Sequence, residues 1–312
     1  AKQYDFRLVL RLARLLQRSR PHIVLSVLRY ANLVTLLAQS MVRSQARVVV
    51  NEQNLPGAEF ALFGGGRIKG WLLRRLYPRA NLVTAISQGI ARELTTRHGL
   101  AARQVVVIPN PVDLARVRSL AVAEFEHPWF RSGSPLVVAT GRLHPQKGFS
   151  HLIRAFALVR NELPCKLVIL GEGPQRAELE QLIAELGLLA DVALPGFHDN
   201  PYKFMGRARL FVLSSLYEGF GNVIVEALAL GTPVVSTACP VGPDEIITHG
   251  ETGLLVPPAD EQALAEAMTR VLNDRGLQQK LSADGPARAA DFSLQHIVTK
   301  YAALFERLAA GA

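Results

Sequence analysis

Two glutamates, Glu218 and Glu226, bracket a Gly-rich turn in the stretch YEGFGNVIVEALALG at residues 217 to 231. The turn carries Gly219 and Gly221, a helix is expected from about Asn222 through Val223 and Glu226, and Gly231 stops it. Backbone amides and the helix dipole at such a helix start favour an anion. Carboxylates make poor phosphate ligands, but one carboxylate can accept two hydrogen bonds from adjacent hydroxyls of a sugar ring. Arg142 and Lys147, five positions apart in GRLHPQKGF across a Pro-containing turn, can converge on a diphosphate. A ligand with sugars on either side of phosphates would satisfy all of these residues.

Positioning them requires strands that end where they begin. LVVATGR from 136, CKLVILG from 165, DVALPGF from 191, LFVLSS from 210, TPVVSTA from 232 and TGLLVPP from 252 are short β-rich runs with amphipathic helical stretches between most of them. Such alternation predicts a doubly wound parallel sheet, whose ligands bind beyond the carboxyl ends of the strands. Arg142, Lys147 and the Glu218 turn all follow such ends. So do two weaker signals. LVILGEGPQRAELE has Gly171 and Gly173, but Arg176 stands where a dinucleotide fingerprint needs its third glycine, so a tight turn and helix packing are expected there. LPGFHDN places Gly196 and Phe197 where backbone groups could border a planar base, although core filling explains Phe197 equally well, and the lone His198 reads as structural.

An earlier alternation, HIVLSVL at 22–28, ARVVVNE at 46–52, NLVTAIS at 81–87 and QVVVIPN at 104–110, predicts a first parallel sheet of about four strands. The prolines of PNPVD at 109–113 mark the boundary, followed by a charged, less regular segment to about Ser134. The expected division is a first domain over 1–112, a second over 113–295, and a helix over 296–312 whose stripe Ile297, Tyr301, Leu304 and Leu308 needs a surface to cover, taken to be the first domain.

Charge separates the halves. Residues 1–113 hold 17 Lys or Arg against 5 Asp or Glu, an excess of +12, whereas the remainder holds 18 against 21, or −3. Phe63, Trp71 and Tyr77, interleaved with Arg67, Lys69, Arg74, Arg75 and Arg79, favour peripheral contact with an anionic membrane rather than nucleic acid; the competing reading is a solvated basic face. The two cysteines, Cys165 and Cys239, lie far apart, and no Cys or His pairing has metal-ligand spacing, so no metal is expected and a reducing compartment fits. No apolar run approaches the roughly 20 residues that span a bilayer.

Taken jointly, NLVTAISQGIARELTTRHGL, VVVIPNPVD, GRLHPQKGFSHLIRAFA, LVILGEGPQRAELE, LPGF, SSLYEGFGNVIVEALALGTPVVST and DEIITHGETGLLVPPAD resemble the retaining glycosyltransferases of family 4 over nearly the whole chain. The resemblance implies the α/β GT-B fold, two Rossmann-like doubly wound domains facing a cleft. It implies a catalytic group of Arg142, Lys147 and Glu218, with both cations on the departing diphosphate and Glu218 near the donor sugar. Phe220, Gly221, Asn222 and Val223 would contact sugar and phosphate, Glu226 would hold the ribose hydroxyls, and Gly196 and Phe197 would border the base. The implied activity is transfer of a hexose or N-acetylhexosamine, with retention, from a UDP- or GDP-linked donor to a glycan or lipid-linked glycan, as in polysaccharide or lipopolysaccharide biosynthesis. No cofactor or metal is implied, and the place of action is the cytoplasm or the inner face of the membrane. A nucleotide-sugar epimerase of the same architecture and a non-catalytic nucleotide-sugar-binding protein are the alternatives. The sequence departs from the family in CPVGPDEII, where Gly242 and Glu245 are kept in an altered donor-side loop, and in Glu52, Gln53 and Asn54, where a His is common. The family's opening strand and its Gly-rich loop have no counterpart here, so the first domain is expected to lack its start and turnover by this chain to be slow.

Overall fold

The computed structural model describes residues 7–42, 44–57, 66–124, 129 and 133–310, with the side chains of residues 66 and 67 outside the description. The chain divides into two compact units, Ala1–Asn110 with Ile297–Ala312, and Pro111–His296.

The first unit carries strands β1 (Ile23–Val27), β2 (Arg47–Glu52), β3 (Leu82–Ala85) and β4 (Val105–Val107), all parallel in the order β1-β2-β3-β4. Their connections include helices α1 (Arg7–Ser19, ahead of β1), α2 (Arg29–Met41), α3 (Gly66–Leu76) and α4 (Gln88–Thr96). Ser87 caps α4, its hydroxyl accepting the Ile90 amide. The strand order has no reversal among the described residues, so this sheet has no switch point there.

In the second unit Asp113 caps a helix, α5 (Leu114–Ala121), by accepting the Arg116 amide, where the sequence reads as irregular. Its apolar residues are too few to stand out, but Val117 and Ala121 are buried. Strands β5 (Leu136–Thr140), β6 (Lys166–Leu170), β7 (Val192–Gly196), β8 (Leu210–Leu213), β9 (Val234–Thr237) and β10 (Leu254–Val256) follow, with α6 (Phe149–Glu162), α7 (Arg176–Glu185), α8 (Tyr202–Met205), α9 (Asn222–Ala229), α10 (Pro243–Ile246), α11 (Glu261–Asn273) and α12 (Arg275–Ala290); only the first residues of the last helix, α13 (Leu294–Ala309), lie in this unit. The sheet is parallel in the order β10-β9-β8-β5-β6-β7. The near-continuous apolar strands are buried as parallel strands covered on both faces must be. The order reverses beside β5, whose neighbours are β6 and β8, and a doubly wound sheet opens its ligand crevice at that point.

Most of α13 belongs to the first unit, where Ile297, Leu304 and Leu308 form a buried cluster with Val49 and Ile108. The same unit buries a polar network. Glu52 is fully buried and accepts from Arg29 Nη2 at 2.8 Å, Arg29 Nε at 3.2 Å and the Tyr77 hydroxyl at 2.7 Å. Tyr77, expected on the basic surface, is therefore a core residue, because its one polar atom finds partners inside. Burial and the Glu52 charge push its phenol well above the usual range.

Candidate active site

At the switch point, the loops following β5 and β8 are bound to each other. The Leu216 amide donates to the Gln146 carbonyl at 2.8 Å, the Ser214 hydroxyl to the Lys147 carbonyl at 2.8 Å, and Gln146 Nε2 to the Tyr217 carbonyl at 3.0 Å. Gly148 allows this approach: its φ is +60°, and a Cβ there would stand 2.2 Å from the Ser214 carbonyl oxygen.

Docking of the loops brings Lys147 Nζ to Glu218 Oε1 at 2.5 Å, with 16% and 9% of the two side chains exposed. The Ser215 hydroxyl donates to the same carboxylate oxygen at 2.6 Å, and Thr237 Oγ1 holds the Ser215 carbonyl at 2.5 Å. The charge of Glu218 reaches its neighbours. Burial first and Glu218 second raise the Tyr217 phenol, with Arg142 opposing, and the same two causes push the Cys239 thiol up to about 12. Arg142 is exposed beside this group.

Gly221 ends the second loop with φ +104° and is the N-cap of α9. Having no side chain, it leaves the first amides of the helix, at Asn222 and Val223, uncapped from its own position, an arrangement suited to an anion. Asn222 is exposed and Val223 half-buried. Phe220 is 3% exposed, its ring edge-on to Phe292 at 5.3 Å, so it offers a ligand its backbone only.

Glu226 takes a different partner from Glu218. The Tyr202 hydroxyl, from α8, donates to it at 3.3 Å. Burial raises the Glu226 carboxyl above its ordinary value, partly offset by that hydrogen bond, while burial and Glu226 push Tyr202 up to about 12.

At the end of β7, the Gly196 carbonyl accepts the Gly171 amide at 2.9 Å. Phe197 is 72% exposed, which excludes the core-filling alternative. His198 packs edge-on against Phe204 at 4.9 Å. Gly171 and Gly173 pack against the β5 loop rather than a helix, since Cβ atoms there would lie 1.9 Å from the Gly141 carbonyl oxygen and 2.3 Å from that of Leu143. Arg176 is tied to Glu172 at 2.6 Å and Glu180 at 2.8 Å. Among the described residues, no group of three or more His, Cys, Asp and Glu could hold a metal ion.

Ser215, Gln146 and Tyr202 escaped the sequence reading. Ser215 could have been found, three residues before Glu218 at a strand end; Tyr202 is 24 positions from Glu226 and carries no local signal.

A family profile described as "Glycosyl transferases group 1" matches residues 123–288, and one described as "Glycosyltransferase Family 4" matches residues 1–116. The chain belongs to the group 1 glycosyl transferases. It is 32% identical over 262 residues to the N-acetylgalactosamine-N,N'-diacetylbacillosaminyl-diphospho-undecaprenol 4-alpha-N-acetylgalactosaminyltransferase of Campylobacter jejuni, covering 84% of this chain and 70% of that protein. The lipopolysaccharide core biosynthesis glycosyltransferase LpsD of Rhizobium meliloti is 35% identical over 206 residues, 66% of this chain and 58% of LpsD. Among solved structures, the UDP complex of Anabaena HepE superimposes with a TM-score of 0.81 at 24% identity, covering 96% of this chain and 82% of HepE. This likeness, with the two parallel sheets, shows the GT-B fold in this glycosyltransferase.

Proposed function

We propose that this glycosyltransferase moves a hexose or N-acetylhexosamine from a UDP- or GDP-linked donor to a glycan or lipid-linked glycan acceptor, with retention and without a metal or other cofactor. The observation that carries the reading is the Lys147–Glu218 pair, held by docked loops at the switch point beside the Gly-capped start of α9. Cleavage of the sugar–phosphate bond leaves negative charge on the departing diphosphate. Arg142, Lys147 and the amides of Asn222 and Val223 stabilise that charge from fixed positions, which costs no reorganisation during the step. Glu218 accepts hydroxyls of the donor sugar while holding the Lys147 ammonium in place, and Glu226 accepts the ribose hydroxyls, with Tyr202 fixing its orientation. Phe197 and Gly196 border the base.

The named substrates of relatives support the acceptor class: a diphospho-undecaprenol-linked sugar for the Campylobacter enzyme and lipopolysaccharide core for LpsD. The UDP bound to HepE supports a nucleoside diphosphate donor. For a lipid-linked acceptor the enzyme works in the cytoplasm against the inner membrane face. On α3, Ile68 is 69% and Trp71 58% exposed beside Arg74 and Arg75, a pattern that suits an anionic interface. Phe63 and the Arg67 side chain lie outside the described residues. Among the described residues no helix is long and apolar enough to cross a membrane.

Thermal shifts against UDP, GDP, ADP and their sugars would identify the donor, and transfer to a lipid-linked glycan with NMR of the new linkage would read the anomeric outcome. An inverted product would refute retention. Conversion of the donor without an acceptor would favour an epimerase, and binding with neither transfer nor hydrolysis a binding protein.

A further inference from the structure

The opposite edge of the first sheet, at the amino ends of its strands, holds a second candidate site. Two solvent-open depressions of about 720 Å³ and 530 Å³ meet there, sharing Arg47 and Leu308 in their walls. The parallel strands align their starts along this edge. His22 precedes β1, Arg47 opens β2, Asn81 precedes β3 and Arg103 lies just before β4, while Arg307 comes from the last turn of α13. Arg20 completes the rim with a left-handed backbone, φ 42°, a conformation costly for a residue with a side chain.

Among the described residues, no acidic side chain lines either depression. Elsewhere in this unit the buried Arg29 guanidinium has the Glu52 carboxylate as its partner. Arg47 stands in both walls, with Arg20 in one depression and Arg103 and Arg307 in the other, all four exposed, and a multiply charged anion would accept the forked N–H donors of such neighbouring guanidiniums. We propose that this groove binds a phosphate group, as a phosphate monoester or a diphosphate. Substrates of parallel α/β sheets bind at the carboxyl ends of the strands, so this ligand is not the acceptor or donor of the transfer reaction.

Inorganic pyrophosphate is a suitable probe, titrated calorimetrically into the whole chain, into Lys147→Ala, and into the triple variant Arg47→Gln/Arg103→Gln/Arg307→Gln. Lys147→Ala should keep a pyrophosphate site that the triple variant loses. Arg103→Gln alone should weaken that site about ten-fold, the loss of one charge-assisted hydrogen bond, and guards against misfolding of the triple variant. The proposal is overturned if the triple variant titrates like the wild type, or if Lys147→Ala abolishes all pyrophosphate binding. Flotation with vesicles of phosphatidylcholine and phosphatidic acid, in an Ile68→Ser/Trp71→Ser/Arg74→Gln/Arg75→Gln background that removes the α3 contribution, separates the sources. Flotation lost with the three arginines supports a lipid headgroup as the ligand; flotation unchanged while pyrophosphate binding is lost supports a soluble phosphate compound.

Discussion

Replacing Lys147 by Met should destabilise the second unit by about 3 kcal/mol, because it strands a charge that the fold has enclosed. At an effective dielectric of about 20, unit charges 2.5 Å apart attract by about 7 kcal/mol. Desolvation of both groups cancels much of this, and measured losses on removing one partner of a buried pair are about 3–5 kcal/mol. Glu218 keeps the Ser215 hydroxyl at 2.6 Å, which places the loss at the lower end. For a unit of this size that is about 6–12 °C in Tm. Glu218→Gln should cost less, since the Lys147 side chain is the more exposed of the two, at 16%, and its flexible stem can reach solvent. The assay is a double-mutant cycle read by calorimetry of the wild type, Lys147→Met, Glu218→Gln and the double variant, with an expected coupling of about 2–3 kcal/mol. Coupling below about 0.5 kcal/mol would show that the docked loops do not depend on this pair. The cycle run on donor binding would then have to explain Lys147 through phosphate alone.

Glu226→Ala should weaken nucleoside diphosphate binding by about 1.5–3 kcal/mol, the range for a hydrogen bond to a charged group, and unchanged calorimetric affinity would sink the ribose assignment. The raised carboxyl of Glu226 also sets a pH dependence. Its ionised form is penalised in the fold, so stability is full below the ordinary carboxylate range and is lost as pH rises through the raised folded value. Glu226→Gln should therefore melt higher than wild type at neutral pH, with the gain vanishing on acidification; a pH-independent difference would refute this account. Arg142→Ala should cost about 1.5–3 kcal/mol for the diphosphate and leave the nucleoside unaffected in parallel titrations. Gly221→Ala, forced to φ +104°, should lose about 1–3 kcal/mol of stability in urea melts together with donor affinity, and a neutral result would show that the turn relaxes freely.

Sequence alone determined the parts of this protein that depend on local pattern. All ten described strands fall within the apolar runs read from the chain, most clearly at β5 and β8, because a parallel strand buried on both faces must be apolar along its length. The start and stop of α9 were legible for a similar reason, since Gly221 and Gly231 both hold positive φ. Tertiary structure decided which polar groups meet. Lys147 and Glu218 are 71 positions apart, and only the reversal of strand order beside β5 sets their loops edge to edge. No spacing in the chain shows that Glu226 bonds Tyr202 instead of sharing a partner with Glu218. Tyr77 left its expected place on the surface, and Phe197 took one of the two places open to it, for a matching reason. Aromatic identity does not say which side faces water, and that depended on Glu52 accepting from the Tyr77 hydroxyl, on Asn32 Nδ2 donating to it, and on Phe197 lying beyond the end of a strand. The arginines at the amino edge of the first sheet, scattered from position 20 to position 307, became neighbours only when parallel pairing aligned the strand starts and α13 folded back onto them.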